Sequence, residues 1–223
     1  MTKRISDNTV RRLPKYLRKL EELSASGIER ISSAELARAF GYTPSQIRHD
    51  LCSFGSFGTQ GYGYNVDSLR QAILLQLGVD RAYPAVLVGA GKIGRALLDN
   101  LDFAACGFRI MAAFDIRCGA PERTQEGIPL FPATELYGFI SGYGVEAAVL
   151  CVPGAVARRT ARSLATWGVK AIWNFTNEDL ELPPTVSVEN LHFSDSLLTL
   201  SYRLNERRLG ERLRPAAGES REF

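Results

Sequence analysis

The sequence predicts an α/β chain in two domains: short helices closed by a glycine-rich hairpin, then a parallel sheet wound with helices. Three observations carry this. Helix caps at Ser32 and Thr43 bracket a tight turn, four glycines crowd residues 54–64, and from residue 85 apolar strands alternate with helical periodicity. A length of 223 residues suits two small domains, each able to bury its own core.

The first helical signal is the apolar series Val10, Leu13, Tyr16, Leu17, Leu20 and Leu23. Arg11, Arg12, Lys15, Arg18 and Lys19 lie on the opposite face. Pro14 must sit in the first turn of this helix or kink it. Ser32 and Glu35 form a capping box for a short second helix, which Gly41 ends. Thr43 caps a third, with Pro44 at the first helical position and Gln46 at the capping-box position. The two helices across so short a turn have helix-turn-helix spacing. The glycines Gly55, Gly58, Gly61 and Gly63 among aromatics then suit a hairpin, as a wing would. A fourth helix over about residues 67–77 stops at Gly78, and residues 79–84 are the expected linker.

Strands are expected at residues 85–89, 108–115, 145–152, 169–175 and 186–188. Helices are expected from residue 91 to about 101, at 133–141, 155–167 and 194–209. The domains are therefore residues 1–79, a winged helix-turn-helix, and 80–192, a Rossmann dinucleotide-binding sheet. A C-terminal helix over 193–210 and a disordered tail over 211–223 follow.

A composition of 45% hydrophobic and 23% charged residues is that of a soluble globular protein, without an apolar run near the roughly 18 residues of a membrane span. Residues 1–20 alternate basic and apolar side chains and do not read as a signal peptide, so a cytoplasmic location is expected. Four scattered cysteines without a CxxC pair, and two histidines, give no expected metal site. The net charge is +3, but residues 1–20 hold seven Lys/Arg against Asp7 alone.

Gly89-Ala90-Gly91-Lys92-Ile93-Gly94 follows the strand Ala85-Val86-Leu87-Val88 and opens a helix, the context that makes a GxGxxG pattern informative. Gly89 permits the tight turn, Gly91 lets a pyrophosphate approach the helix N-terminus, and Gly94 lets helix and strand pack closely. Asp115, 21 residues beyond Gly94, ends the next strand and is placed to accept hydrogen bonds from the adenosine ribose, favouring NAD(H) over its 2′-phosphorylated form. Ile116 and Arg117 follow it, and Arg117 could reach a 2′-phosphate were Asp115 turned aside. Val152 and Pro153 are expected to wall the nicotinamide half.

On the third helix Ile47 and Leu51 face the core, which leaves Ser45, Gln46, Arg48 and His49 for a DNA major groove. Arg48 is the first candidate for a guanine or phosphate contact. The basic first helix, with Arg12, and the hairpin residues Thr59, Gln60, Gly61 and Tyr62 complete the expected DNA face.

Together, Arg12-Leu13-Pro14-Lys15-Tyr16-Leu17-Arg18, Ser45-Gln46-Ile47-Arg48-His49-Asp50-Leu51, Phe54-Gly55-Ser56-Phe57-Gly58 and Gly61-Tyr62-Gly63-Tyr64 resemble the DNA-binding half of the Rex family. The resemblance continues through Val88 to Gly94, Phe114-Asp115, Val152-Pro153, Trp173-Asn174-Phe175 and Val188-Glu189-Asn190, covering about residues 5–205. It implies a homodimeric winged-helix repressor of double-stranded operator DNA that senses the NADH/NAD⁺ balance. It also implies a C-terminal helix exchanged between subunits and an aromatic, Phe193, near the nicotinamide.

The chain departs from the family pattern at three positions. His49 stands where the family usually has Lys, and Gln60 where the wing is usually basic, both lowering phosphate attraction. His192 replaces an acid that the family pairs across the dimer with an arginine matching Arg18. Arg18 and His192 are thus the expected switch positions, and a protonated His192 would repel Arg18. Two other readings stand beside the repressor: a sister regulator with an altered trigger or without NADH discrimination, and an NAD-dependent oxidoreductase. The oxidoreductase lacks a well-placed proton donor, since no Tyr has Lys four residues on, His49 lies in the expected DNA helix and His192 sits beyond the last strand beside the terminal helix.

Overall fold

A computed structural model describes residues 5–55, 57–59 and 62–212, with only the backbone at Gly58, Thr59 and residues 210–212. Of the expected tail, residues 213–223 lie outside the described residues, as do Gln60 and Gly61 of the expected wing. The chain divides into two compact units, residues 1–82 with 103–108, and residues 83–102 with 109–223.

In the first unit, α1 (Asp7–Val10) leads into α2 (Leu13–Ala25), with Pro14 in the first turn where no N–H is needed. After β1 (Arg30–Ile31), Ser32 Oγ accepts from the Glu35 amide while the Glu35 carboxylate accepts from the Ser32 amide at 2.8 Å, opening α3 (Ser33–Phe40). Gly41, at φ +69°, ends it in the left-handed region. Thr43 then caps α4 (Pro44–Cys52) by accepting from the Gln46 amide at 3.1 Å. The hairpin consists of β2 (Gly58–Thr59) and β3 (Gly63–Asn65), paired antiparallel with Gly58 opposite Tyr64. β3 also pairs with β1, so the wing is stitched to the helix-turn-helix. α5 (Val66–Leu77) covers the unit, and Leu13, Tyr16, Leu20, Leu36, Ile47, Leu51, Leu69 and Ile73 form its core.

Residues 79–81, expected as linker, form a 3₁₀ turn, and the second unit starts one residue before Pro84 with β4 (Tyr83–Val88). α6 (Lys92–Asn100) and β5 (Phe108–Asp115) follow. The short strands β6 (Glu122–Arg123) and β7 (Pro129–Pro132) occupy a stretch where the sequence pattern predicts no element. Then come α7 (Leu136–Tyr143), β8 (Ala147–Leu150), α8 (Gly154–Thr166), β9 (Ala171–Asn174), β10 (Ser187–Asn190) and α9 (Phe193–Arg212).

The strand order is β10-β9-β8-β4-β5-β7-β6. β4, β8, β9 and β10 run parallel, β7 runs parallel to β5, and β6 adds an antiparallel edge. Apart from β6 this is the doubly wound order in which the chain leaves β4 in one direction and returns on its other side at β8. The crevice beyond the carboxyl ends of β4 and β8 is where such sheets take their ligand.

Among the described residues, no helix is long and apolar enough to cross a membrane.

Candidate functional site

The turn after β4 is shaped by backbone crowding. Gly89 has φ +97°, and a Cβ there would lie 2.6 Å from the Cys151 carbonyl oxygen. A Cβ at Gly94 would overlap the Gly89 carbonyl, so α6 can approach β4 only through glycine. Gly91 differs from both. Its Cβ would meet only a terminal nitrogen of Arg117, at 3.7 Å, so the space above it faces a concavity rather than packed protein. Gly91 is also the N-cap of α6, whose first amides lack helix partners and carry the positive end of the helix dipole. These residues fit a pyrophosphate: two glycines let the turn exist, and the third leaves it open.

The concavity holds about 350 Å³ and is lined by Ala90, Gly91, Lys92, Arg95, Asp115, Arg117, Cys118, Glu122 and Leu130. Asp115 ends β5, is buried, and accepts from the Arg117 amide at 2.9 Å, from Arg117 Nε at 3.0 Å and from Arg117 Nη2 at 3.2 Å. These hydrogen bonds hold its carboxyl below the ordinary carboxylate value. Ile116, between them, is 86% exposed, and Lys92 and Ile93 are exposed on the first turn of α6. Arg95, Cys118 and Glu122 were not expected here. Their only sequence signal is that they flank the fingerprint and the acid.

Val152 is half-buried against the core and Pro153 caps α8, both just after β8. Burial pushes the neighbouring Cys151 thiol up to about 12, so at neutral pH it is a packing residue and not a nucleophile. Phe193 opens α9 with its ring 6.1 Å from Phe175, which in turn meets Trp173 at 4.4 Å. The buried Asn174 side chain donates to Asn190 Oδ1 at 2.8 Å and to the Glu178 carbonyl at 2.7 Å, tying β9 to β10.

In the first unit, Ser45, Arg48 and His49 are exposed on α4, and Arg48 donates to Ser33 Oγ at 3.3 Å. Gln46 and Arg12 turn inward instead: both donate to the fully buried Asp50 carboxylate, Gln46 at 2.9 Å. Tyr16 donates to the same carboxylate at 2.6 Å and Thr9 at 3.2 Å. Sequence reasoning placed Arg12 and Gln46 on the DNA face because nothing in the helical pattern marks Asp50 as an interior acceptor. In the hairpin, Tyr62 is 71% exposed, and the Arg30 guanidinium lies 5.9 Å from its ring centre, a second cation the sequence reading missed. Thr59 is described by its backbone alone.

The two expected switch residues are on different units. Arg18 is exposed on α2 and has no ion pair among the described residues. His192, mostly buried, lies between two carboxylates of its own chain, with Nε2 3.8 Å from Asp179 and Nδ1 3.9 Å from Asp195.

Comparison with known proteins gives this geometry its family. The model of "Putative DNA-binding protein N-terminus" matches residues 4–52, and that of "CoA binding domain" matches residues 80–178. The redox-sensing transcriptional repressor Rex of Clostridium beijerinckii is 46% identical over 204 residues, covering 92% of this chain and 97% of the relative. That of Caldanaerobacter subterraneus subsp. tengcongensis is 43% identical over 210 residues, 94% of each chain. Among solved structures, RSP in complex with β-NAD⁺ and operator DNA is 41% identical with a TM-score of 0.85, covering 96% of this chain and 99% of that one. RSP in complex with β-NADH is 40% identical with a TM-score of 0.86, covering 94% and 99%. The chain belongs to the Rex family of redox-sensing transcriptional repressors.

Proposed function

We propose that this chain is a homodimeric, cytoplasmic repressor that binds operator DNA through its first unit and reads the NADH/NAD⁺ balance through its second. One observation carries the reading: a turn kept open above Gly91, leading to a buried acid at Asp115, shares a chain with a winged helix-turn-helix whose Ser45, Arg48 and His49 face solvent. RSP, which this chain matches over 99% of its length, was solved with NADH and with NAD⁺ and operator DNA.

Gly91 and Lys92 would supply amides to the pyrophosphate while Ala90 holds the Asp115 carboxylate, Asp115 would accept from the adenosine ribose, and Val152, Pro153 and Phe193 would wall the nicotinamide. The bound dinucleotide supplies a ring that is a cation when oxidised and neutral when reduced. An apolar wall disfavours the cation through desolvation. If one closure of the dimer offers that wall and another does not, NADH shifts the population by no more than its differential affinity for the two. Occupancy is read and nothing is turned over.

The dimer reading rests on α9. Its seven large apolar side chains, Phe193, Leu197, Leu198, Leu200, Tyr202, Leu204 and Leu209, are between 48% and 68% exposed within one chain. Exchange of this helix with a second copy would cover them.

The test is a gel-shift titration against a duplex selected from a random pool by the ligand-free protein. At fixed salt, NADH and NAD⁺ are expected to change operator affinity to different extents; identical curves would overturn the sensing reading. A regulator with an altered trigger is favoured by His192 alone, which meets Asp179 and Asp195 of its own chain. His192→Asp would then change the ratio of the two operator affinities, and an unchanged ratio would remove that reading.

A further inference from the structure

Arg117 occupies the acid on which the dinucleotide reading depends. Asp115 has about four lone-pair positions. Three hydrogen bonds from Arg117, through its amide, Nε and Nη2 at 2.9–3.2 Å, fill three of them, and the Ala90 backbone also hydrogen-bonds the carboxylate. Two adenosine ribose hydroxyls would have to displace the guanidinium before they could reach the carboxylate. A 2′-phosphate would not. The guanidinium carries five N–H donors, of which two, on Nε and Nη2, are spent on Asp115; its side chain is 70% exposed, and Nη2, which keeps a second N–H, lies over Gly91. Arg117 lines the same 350 Å³ concavity with three donors unspent, and there Lys92 and Arg95 add positive charge and Glu122 opposes it.

We propose that Arg117 determines specificity at the adenosine end, making the site accept 2′-phosphorylated dinucleotides, NADP(H), alongside NAD(H). With Arg117 seated on Asp115 the pair is neutral, which removes the repulsion that a bare aspartate exerts on a 2′-phosphate. The guanidinium then presents a planar fork to that phosphate. NAD(H) binds by opening the pair, and NADP(H) by leaving it closed. This inference rests on the dinucleotide reading of the same site.

The experiment is calorimetric titration of the full chain and its Arg117→Ala variant with NADH and with NADPH, taking the ratio of the two dissociation constants. Attraction of Arg117 to the pyrophosphate is common to both ligands and cancels in that ratio. In the native chain NADPH is expected to bind within about a hundredfold of NADH. Arg117→Ala should raise the preference for NADH by about tenfold or more, because it frees Asp115 for the ribose and removes the phosphate's partner together. Asp115→Ala, with Arg117 retained, should move the ratio the other way. A ratio unchanged in Arg117→Ala, a shift toward NADPH, or no NADPH binding a hundredfold above the NADH constant would each overturn the inference. None of these would touch NADH sensing, which falls instead if NADH and NAD⁺ bind and act alike. Absence of NADH binding would overturn both.

Discussion

Arg12 grips Asp50 with two hydrogen bonds, Nε to Oδ2 at 2.6 Å and Nη2 to Oδ1 at 2.8 Å, and the carboxylate is fully buried. Tyr16, Gln46 and Thr9 complete its shell, so one acid joins α2 to α4. A buried charge with every lone pair filled is tolerated, whereas the same charge with a partner missing is costly. The hub therefore sets the angle at which Ser45, Arg48 and His49 leave the surface.

Asp50→Ala is expected to cost about 2–4 kcal/mol, less than the loss from breaking a pair buried on both sides, because Arg12 keeps 20% of its side chain in solvent. Chemical denaturation followed by far-ultraviolet circular dichroism measures it. Arg12→Lys should also destabilise, since an ammonium cannot reproduce the fork. If Arg12 served only as a phosphate contact, Arg12→Lys would leave stability intact.

The same hub gives the first unit an acid limit. Burial pushes the Asp50 carboxyl up, but hydrogen bonds from Arg12, Tyr16 and Gln46 outweigh it, and the group lies below its ordinary value of 3.8. A folded-state value depressed below the unfolded one contributes stability that is complete above the unfolded value and disappears as pH falls through the folded one. Native stability should therefore be flat above about pH 5 and decline below about pH 4, with the decline shallower in Asp50→Asn. Parallel pH curves for the two proteins would show that the loss arises elsewhere.

The elements legible in the sequence are those with a local chemical signature. The Ser32–Glu35 box, the Thr43-Pro44 start and the Gly89–Gly94 turn each act within six residues, and each forms as the pattern predicts. What stays illegible depends on distant partners. Asp50 reads as one more polar position on a short helix, and only the fold brings Thr9, Arg12 and Tyr16 to it across 34 to 41 residues. β6 and β7 are too short for periodicity; β7 is held by pairing to β5 and β6 by pairing to β7. Asp115 and Arg117 are both visible in the sequence, but their mutual hydrogen bonds are not.

The three fingerprint glycines should respond differently to alanine. At Gly89 the added Cβ is placed at φ +97° and 2.6 Å from a carbonyl oxygen, so Gly89→Ala should lower stability by about 2–4 kcal/mol. At Gly94 the Cβ overlaps backbone, and a comparable loss is expected. Gly91→Ala meets only a flexible guanidinium at 3.7 Å, so its melting temperature should stay within about 2 °C of the native protein while NADH affinity falls at least about tenfold. Differential scanning calorimetry and NADH titration of the three variants separate turn strain from ligand approach. Equal losses of affinity and stability at Gly91 would mean that the turn, and not the pyrophosphate, needs this glycine.

The helix α9 provides a test of assembly. Leu197, Leu200 and Leu204 repeat at helical spacing and are 64%, 52% and 51% exposed, an arrangement that a helix packed on its own sheet would not leave. Burying one leucine is worth about 1.5–3 kcal/mol. Replacing Leu200 and Leu204 with glutamate should therefore weaken self-association by at least about a hundredfold, converting dimer to monomer in sedimentation velocity at micromolar protein. Arg207→Glu, an exposed charge change on the same helix, controls for helix propensity and net charge and should leave the dimer intact. A double variant that sediments as the native protein does would show that this stripe is not the contact between copies. Because operator sites of winged-helix dimers are read by two recognition helices at once, the monomeric variant should also lose operator affinity while its NADH titration retains the native ratio of NADH to NAD⁺ only if the nicotinamide wall lies within one chain.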